Sequence, residues 1–122
     1  MNRRVLIVDD EPNIVISVEF LMRREGFDVS SARDGEQGLA AIREQRPDLV
    51  VLDVMMPKRN GFEVCEAVRA DPGLAGVRIL MLTAKGREAD FEKGFTLGAD
   101  AYMAKPFSTR EFVEKVRALL EG

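Results

Sequence analysis

Five polar side chains each stand at the end of a short apolar run. Asp9 and Asp10 follow Val5–Val8, Asp53 follows Leu49–Leu52, Thr83 follows Ile79–Leu82, and Lys105 follows Ala101–Ala104. Taken singly, each has a plain structural role. Asp9 and Asp10 suit the cap of a helix opening at Pro12, Asp53 a turn, Thr83 a cap, and Lys105 a solvated charge before Pro106. Taken together they make a restricted chemical set. Clustered carboxylates repel one another, and each tends to keep its proton unless a cation compensates. An all-oxygen acidic group suits Mg²⁺, a small hard cation that retains several waters. An ammonium adds a second positive charge for an anionic group, and a hydroxyl adds a neutral donor. Such a set supports phosphoryl transfer with an aspartate as the nucleophile.

The composition narrows the chemistry further. The chain has 122 residues and no histidine, which removes Ser-His-Asp and Cys-His catalysis and every His-ligated metal site. Its length fits one domain, spanning residues 1–122. The formal net charge of −3 argues against a nucleic-acid or anionic-membrane surface as the main partner. No apolar run approaches the roughly 20 residues of a membrane span. Met1 to Arg4 lead straight into a strand-like run, without the long apolar region of a secretory signal. Cys65 is the sole cysteine and has no internal partner for a disulfide, so the expected setting is the reducing cytoplasm.

The elements that must bring the five residues together are legible in outline. Four continuous apolar runs, at 5–8, 49–52, 79–82 and 101–104, read as strands covered on both faces. Phe27 to Ser31 is a poorer fifth candidate. Between them lie helical signals: Pro12 at a first-turn position, Gln37 to Gln45 with Leu39 and Ile42 three apart, and Arg87 to Leu97 closed by Gly98. Asn60 with Glu63 and Ser108 with Glu111 have capping-box spacing. The last helix aligns Phe112, Val116, Leu119 and Leu120 on one face. Five alternating strand–helix units predict an α/β fold, a parallel sheet with helices on both faces. In open parallel sheets ligands bind beyond the carboxyl ends of the strands, where the five polar residues lie.

With these residues in place, the chain resembles the receiver domain of two-component response regulators along essentially its whole length. The resemblance is carried by Val8-Asp9-Asp10-Glu11-Pro12, by Asp53-Val54-Met55-Met56-Pro57 with Gly61, and by Leu82-Thr83-Ala84. It extends to Gly98-Ala99-Asp100, Tyr102 and Lys105-Pro106-Phe107. It implies a (βα)5 flavodoxin-like three-layer sandwich with strand order 2-1-3-4-5. It further implies that Asp53 accepts a phosphoryl group from a phosphohistidine. Asp10, Asp53 and the Met55 carbonyl would hold Mg²⁺, with Asp9 acting largely through water. Lys105 would pair with Asp53 and then with the phosphoryl oxygens, which Thr83 and the Ala84 amide would also take up. Tyr102 would rotate inward behind Thr83, a population shift between two states. The Lys105–Pro106 bond would be cis. Met55 and Lys85 occupy positions that tune phosphoryl lifetime in relatives, and an apolar Met55 implies slow self-dephosphorylation.

The expected partners are a sensor histidine kinase or histidine phosphotransfer protein and a downstream protein target, with no membrane and no direct nucleic-acid contact. The first helix is more apolar than one stripe requires: Ile14, Val18 and Leu21 can face the sheet, leaving Val15, Ile16 and Phe20 for a broad core face or a docking surface. Receivers attached to winged-helix regulators dimerise through charge pairs near the fourth helix and fifth strand. Here those positions read Phe91, Thr96 and Ala101, though Asp100 remains, so a monomer or weak dimer is expected, with Phe91 a candidate exposed aromatic. Cys65 reads as a small buried hydrophobe. The chain could be a stand-alone switch or part of a longer regulator or hybrid kinase. An aspartate-nucleophile phosphohydrolase usually carries Asp-x-Asp after its first strand, whereas here Asp9 and Asp10 are adjacent. A flavin protein of this fold would need a Ser/Thr/Gly-rich phosphate loop after Val8.

Overall fold

The computed structural model describes residues 3–84, 87 and 89–121. Five strands, β1 (Arg4–Val8), β2 (Asp28–Ala32), β3 (Leu49–Asp53), β4 (Arg78–Ala84) and β5 (Ala101–Lys105), alternate with five helices. The helices are α1 (Pro12–Arg24), α2 (Gly35–Gln45), α3 (Gly61–Arg69), α4 (Ala89–Leu97) and α5 (Thr109–Glu121), with a short 3₁₀ turn at Pro72–Leu74. All strand pairs are parallel, and the order is β2-β1-β3-β4-β5, as expected.

The continuous apolar runs are explained by two cores, one on each side of the sheet. Leu6, Val8, Val50, Leu52, Ile79 and Met81 point to one side, where Leu39, Ile42, Val64, Cys65 and Val68 of α2 and α3 cover them. Val5, Ile7, Leu49, Val51, Leu80 and Leu82 point to the other, under Val18 and Met22 of α1 and Phe112 and Val116 of α5. Alternate residues of one strand therefore serve opposite layers, so the central strands β1 and β3 stay apolar through their interiors.

Strand ends run one or two residues beyond the apolar runs. Asp53 is the last residue of β3 and pairs with Leu82, while Thr83 and Ala84 lie within β4, opposite Ala104 and Lys105. Thr83 is thus a strand residue and not a helix cap. β2 begins at Asp28, one residue after Phe27, and α4 begins at Ala89 instead of Arg87.

The caps follow the sequence in part. Asn60 accepts from the Glu63 amide and Glu63 reaches back to the Asn60 amide, a complete capping box for α3. Ser108 Oγ accepts from the Glu111 amide, but the Glu111 side chain contacts the Ser108 hydroxyl. Glu11 occupies the cap position of α1 without a side-chain cap bond. Among the described residues no helix is long and apolar enough to cross a membrane.

On α1, Ile14, Val15 and Leu21 pack against the core, while Ile16 and Phe20 are 67% and 63% exposed. Val15 is therefore accounted for by packing. On α4, Phe91 is half-buried against Tyr102 and Phe95 is 52% exposed. The exposed aromatic of that helix is Phe95, not Phe91, because the helix turns Phe91 toward Tyr102 and the core. Asp100, the remaining charge of the possible dimer surface, is engaged within the chain: it accepts from Arg69 at 2.7 Å and from the Ile79 amide at 2.8 Å.

Candidate functional site

At the carboxyl edge of the sheet, Asp9, Asp10 and Asp53 each bring a carboxylate oxygen to within 4.8 Å of the others. Asp9 and Asp53 are buried and Asp10 is exposed, so the cluster opens to solvent on one side. Its backbone frame is close-packed. The Gly61 amide donates to the Val54 carbonyl at 2.8 Å, and a Cβ on Gly61 would stand 2.4 Å from the Asp53 carbonyl oxygen. A side chain there would push the loop after β3 away from Asp53, so glycine is what lets α3 start directly behind it. Asp9 is fixed by its own loop, accepting from the Glu11 amide at 2.9 Å.

Lys105 reaches into the cluster from β5. Its ammonium donates to Glu11 Oε1 at 2.8 Å and to Asp9 Oδ2 at 3.2 Å, and pairs with Asp53 Oδ1 at 3.3 Å. The Lys105–Pro106 peptide is cis. The cleft above these groups, about 360 Å³, is walled by Glu11, Ile14, Asp53, Met55, Ala84, Lys105 and Pro106.

The electrostatics follow from three acids sharing one base. Burial, followed by the nearby Asp9 charge, raises Asp53 to about 7 despite the counteracting Lys105 ammonium. Burial also raises Asp9. For Lys105, burial works to lower the pKa, but the Glu11 hydrogen bond and the Asp53 and Asp9 charges outweigh it and hold the ammonium above its ordinary range. The cluster is short of positive charge. Its carboxylates, from Asp9, Asp10 and Asp53, make an all-oxygen donor set of the kind that suits Mg²⁺.

Thr83 and Tyr102 sit on neighbouring strands beside this cleft and face α4. Thr83 is buried and donates its hydroxyl to Asp90 Oδ2 at 3.1 Å. Tyr102 is also buried, its ring centroid 4.7 Å from that of Phe91 and 5.5 Å from that of Phe95. Burial raises its phenol to about 12. Ala84 lines the cleft and Met55 is exposed at its edge, whereas Lys85 lies outside the described residues.

The five residues singled out by type and spacing thus converge on one rim, and Met55, Ala84 and Tyr102 lie beside them. Two neighbours were missed. Glu11 reads locally as the cap of α1, and nothing near it in sequence announces a lysine 94 positions away. Asp90 reads as an ordinary acid in a first helical turn. The available signal was its pairing with Arg87 three residues before, seven residues after Thr83.

The comparisons with known proteins agree with one another. The family model of the response regulator receiver domain matches residues 5–117. The alkaline phosphatase synthesis transcriptional regulatory protein PhoP of Bacillus subtilis is 48% identical over 120 residues, covering 98% of this chain and 49% of its own length. The DNA-binding response regulator MtrA of Mycolicibacterium smegmatis is also 48% identical over 120 residues, covering 98% and 51%. The chain spans about half the length of these curated relatives. A crystal structure of a response regulator from Chloroflexus aurantiacus superimposes with a TM-score of 0.95 at 36% identity, covering 100% of both chains. With the fold, the rim of acids and these likenesses together, the chain belongs to the response regulator receiver domain family of two-component systems.

Proposed function

We propose that residues 1–122 form one receiver domain that acts as the phosphoacceptor switch of a phosphorelay, with Asp53 taking a phosphoryl group from a phosphohistidine on a partner. The observation that carries this reading is the placement of Asp53: buried at the end of β3, within the three-carboxylate cluster and 3.3 Å from the Lys105 ammonium. An Asp53 carboxylate oxygen attacks phosphorus, forming a P–O bond as the P–N bond to the partner's imidazole breaks. The imidazole leaves with the bonding pair and takes a proton from solvent. Mg²⁺, when bound, would offset the negative charge shared by the carboxylates and the phosphoryl oxygens. Lys105 turns from Asp53 to those oxygens, and Thr83 and the Ala84 amide take up the remainder. The new charge shifts the population of Thr83 and Tyr102 arrangements, which the downstream partner reads.

The reaction changes the chain itself, so it is a signalling domain and not an enzyme with a separate substrate. The proposed partners are a sensor histidine kinase or histidine phosphotransfer protein, which the exposed Ile16 and Phe20 of α1 would meet, and a downstream protein. The engagement of Asp100 by Arg69 favours a monomer or weak dimer over a charge-paired one. The comparisons lend no support to the expectation of no nucleic-acid partner. Among relatives twice as long, one is a transcriptional regulator and one a DNA-binding regulator, so a chain that includes this domain could act on DNA through other residues. The proposed location is the cytoplasm.

The test is incubation with acetyl phosphate and Mg²⁺ followed by intact mass. One phosphoryl addition is expected, absent in Asp53→Asn and absent when the metal is chelated. Addition that persists in Asp53→Asn refutes the assignment.

A further inference from the structure

A threonine hydroxyl has one proton to give. Thr83 gives it to Asp90, with both side chains buried. Asp90 stands in the first turn of α4, and its second partner is Arg87, whose Nε lies 2.9 Å from the same Oδ2 and whose Nη2 lies 3.5 Å from Oδ1. Chiefly the Arg87 bond, helped by the Thr83 hydroxyl and opposed by burial, holds this carboxyl below its usual range. The acceptor is therefore an ion, and bonds to an ionised acceptor are stronger than neutral ones.

We propose that Asp90 is a positioning residue that draws the Thr83 hydroxyl toward α4 and competes for it with a phosphoryl group on Asp53. The proposal rests on the phosphoacceptor reading above. Thr83 directly precedes Ala84, which walls the same cleft as Asp53 and Lys105. A phosphoryl oxygen in that cleft accepts the same single proton, so one bond forms only as the other is given up. Release of Thr83 does not strand a bare buried charge, because Arg87 remains on Asp90. Asp90 thus sets how readily Thr83 is recruited. Because it lies on α4, one turn before the Gly94 that faces the Tyr102 ring, it also delivers the outcome to that helix.

The test is a double-mutant cycle on the whole chain, titrated with beryllofluoride in the presence of Mg²⁺ and followed by calorimetry. Asp90→Ala is expected to tighten binding about tenfold when Thr83 is present, the scale of one hydrogen bond to a charged group. In a Thr83→Ala background the same substitution is expected to change affinity by no more than about twofold. A merely structural role for Asp90 would move both backgrounds alike. Asp90→Asn keeps the shape and one acceptor oxygen while losing the charge, and should show a smaller gain in the same cycle. It takes the place of Asp90→Ala if that variant does not fold. No gain, a loss, or equal gains in both backgrounds overturn the proposal. A wild-type chain that binds no beryllofluoride with Mg²⁺ sinks the phosphoacceptor reading and this one with it, whereas binding without coupling sinks only the role of Asp90.

Discussion

Lys105 lies closer to Glu11 than to Asp53: its Nζ is 2.8 Å from Glu11 Oε1 and 3.3 Å from Asp53 Oδ1. The ammonium has three protons and faces three carboxylates, those of Asp9, Glu11 and Asp53. A further anion can be contacted only when one of them lets go. Glu11 is the cheapest to release, because its carboxylate is largely exposed and returns to water.

Glu11→Gln should therefore tighten Mg²⁺-dependent beryllofluoride binding severalfold while costing less than about 1 kcal/mol of stability, as expected for a solvent-exposed partner. Titration and urea unfolding of the same preparation check both halves. Weaker binding, or a loss of several kcal/mol, would show instead that Glu11 is needed to hold Lys105 in place.

Asp53 is raised to about 7, above the unfolded value of an aspartate. Between about pH 4 and 7 the metal-free folded state therefore holds a proton at Asp53 that the unfolded chain has lost, and the contribution of Asp53 to stability falls as pH rises through that window. Asp53→Asn should flatten this slope and raise stability at pH 8 in chelator by roughly 2–4 kcal/mol, on a scale of about 1.4 kcal/mol per pKa unit. Mg²⁺ in excess should stabilise the wild type at pH 8 and the variant much less. Urea unfolding at several pH values, with and without the metal, is the measurement. A pH dependence between 4 and 7 in chelator that is the same in wild type and Asp53→Asn would contradict it.

Gly94 is the floor under Tyr102. A Cβ at that position would come 2.1 Å from both Cε2 and the hydroxyl of the ring. Gly94→Ala should displace the ring toward solvent, at a cost of about 1–3 kcal/mol from overpacking if the ring resists. Tyr102 is the only tyrosine and there is no tryptophan, so its signal is unambiguous. Its phenol should ionise near 12 in the wild type and closer to the ordinary tyrosine value, about 10, in the variant. Acrylamide should quench the variant's fluorescence more strongly. Equal quenching would mean that the ring stays buried.

Met55 is 58% exposed at the mouth of the cleft and offers no polar side-chain atom to orient a water. Loss of phosphate from the phosphorylated chain should accordingly be slow, with a half-life of minutes or longer. Met55→Asn, which adds an amide able to bind water, should shorten it severalfold. A wild-type half-life of seconds would remove this role for Met55.

Much of the architecture is legible because burial on both faces leaves strands little freedom of composition. The central strands β1 and β3 are nearly all apolar up to their last residue, so both apolar runs and the acids that end them stand out. β2 is weaker in sequence, with Asp28, Ser30 and Ser31, because it is an edge strand held in register by β1. The C-terminal end of β4 is set by pairing with Ala104 and Lys105, which no local pattern encodes. The same distinction governs the site. Residues at strand ends converge by topology and can be read in advance, whereas Glu11 and Asp90 matter through side-chain contacts that only the folded chain creates. Phe91, expected to be exposed, is half-buried and Phe95 is exposed in its place, because the facing of a short helix depends on what it packs against.

The sheet keeps its two cores apart, and it also keeps two surfaces apart. Ile16 and Phe20 belong to α1, on the layer that α5 shares, while Phe95 and Tyr102 belong to α4 and β5, with the Tyr102 ring in the opposite core. The two patches share no residue. If the proposed donor meets α1 and the proposed reader meets α4, they would stand over opposite layers of the sheet and contact different residues.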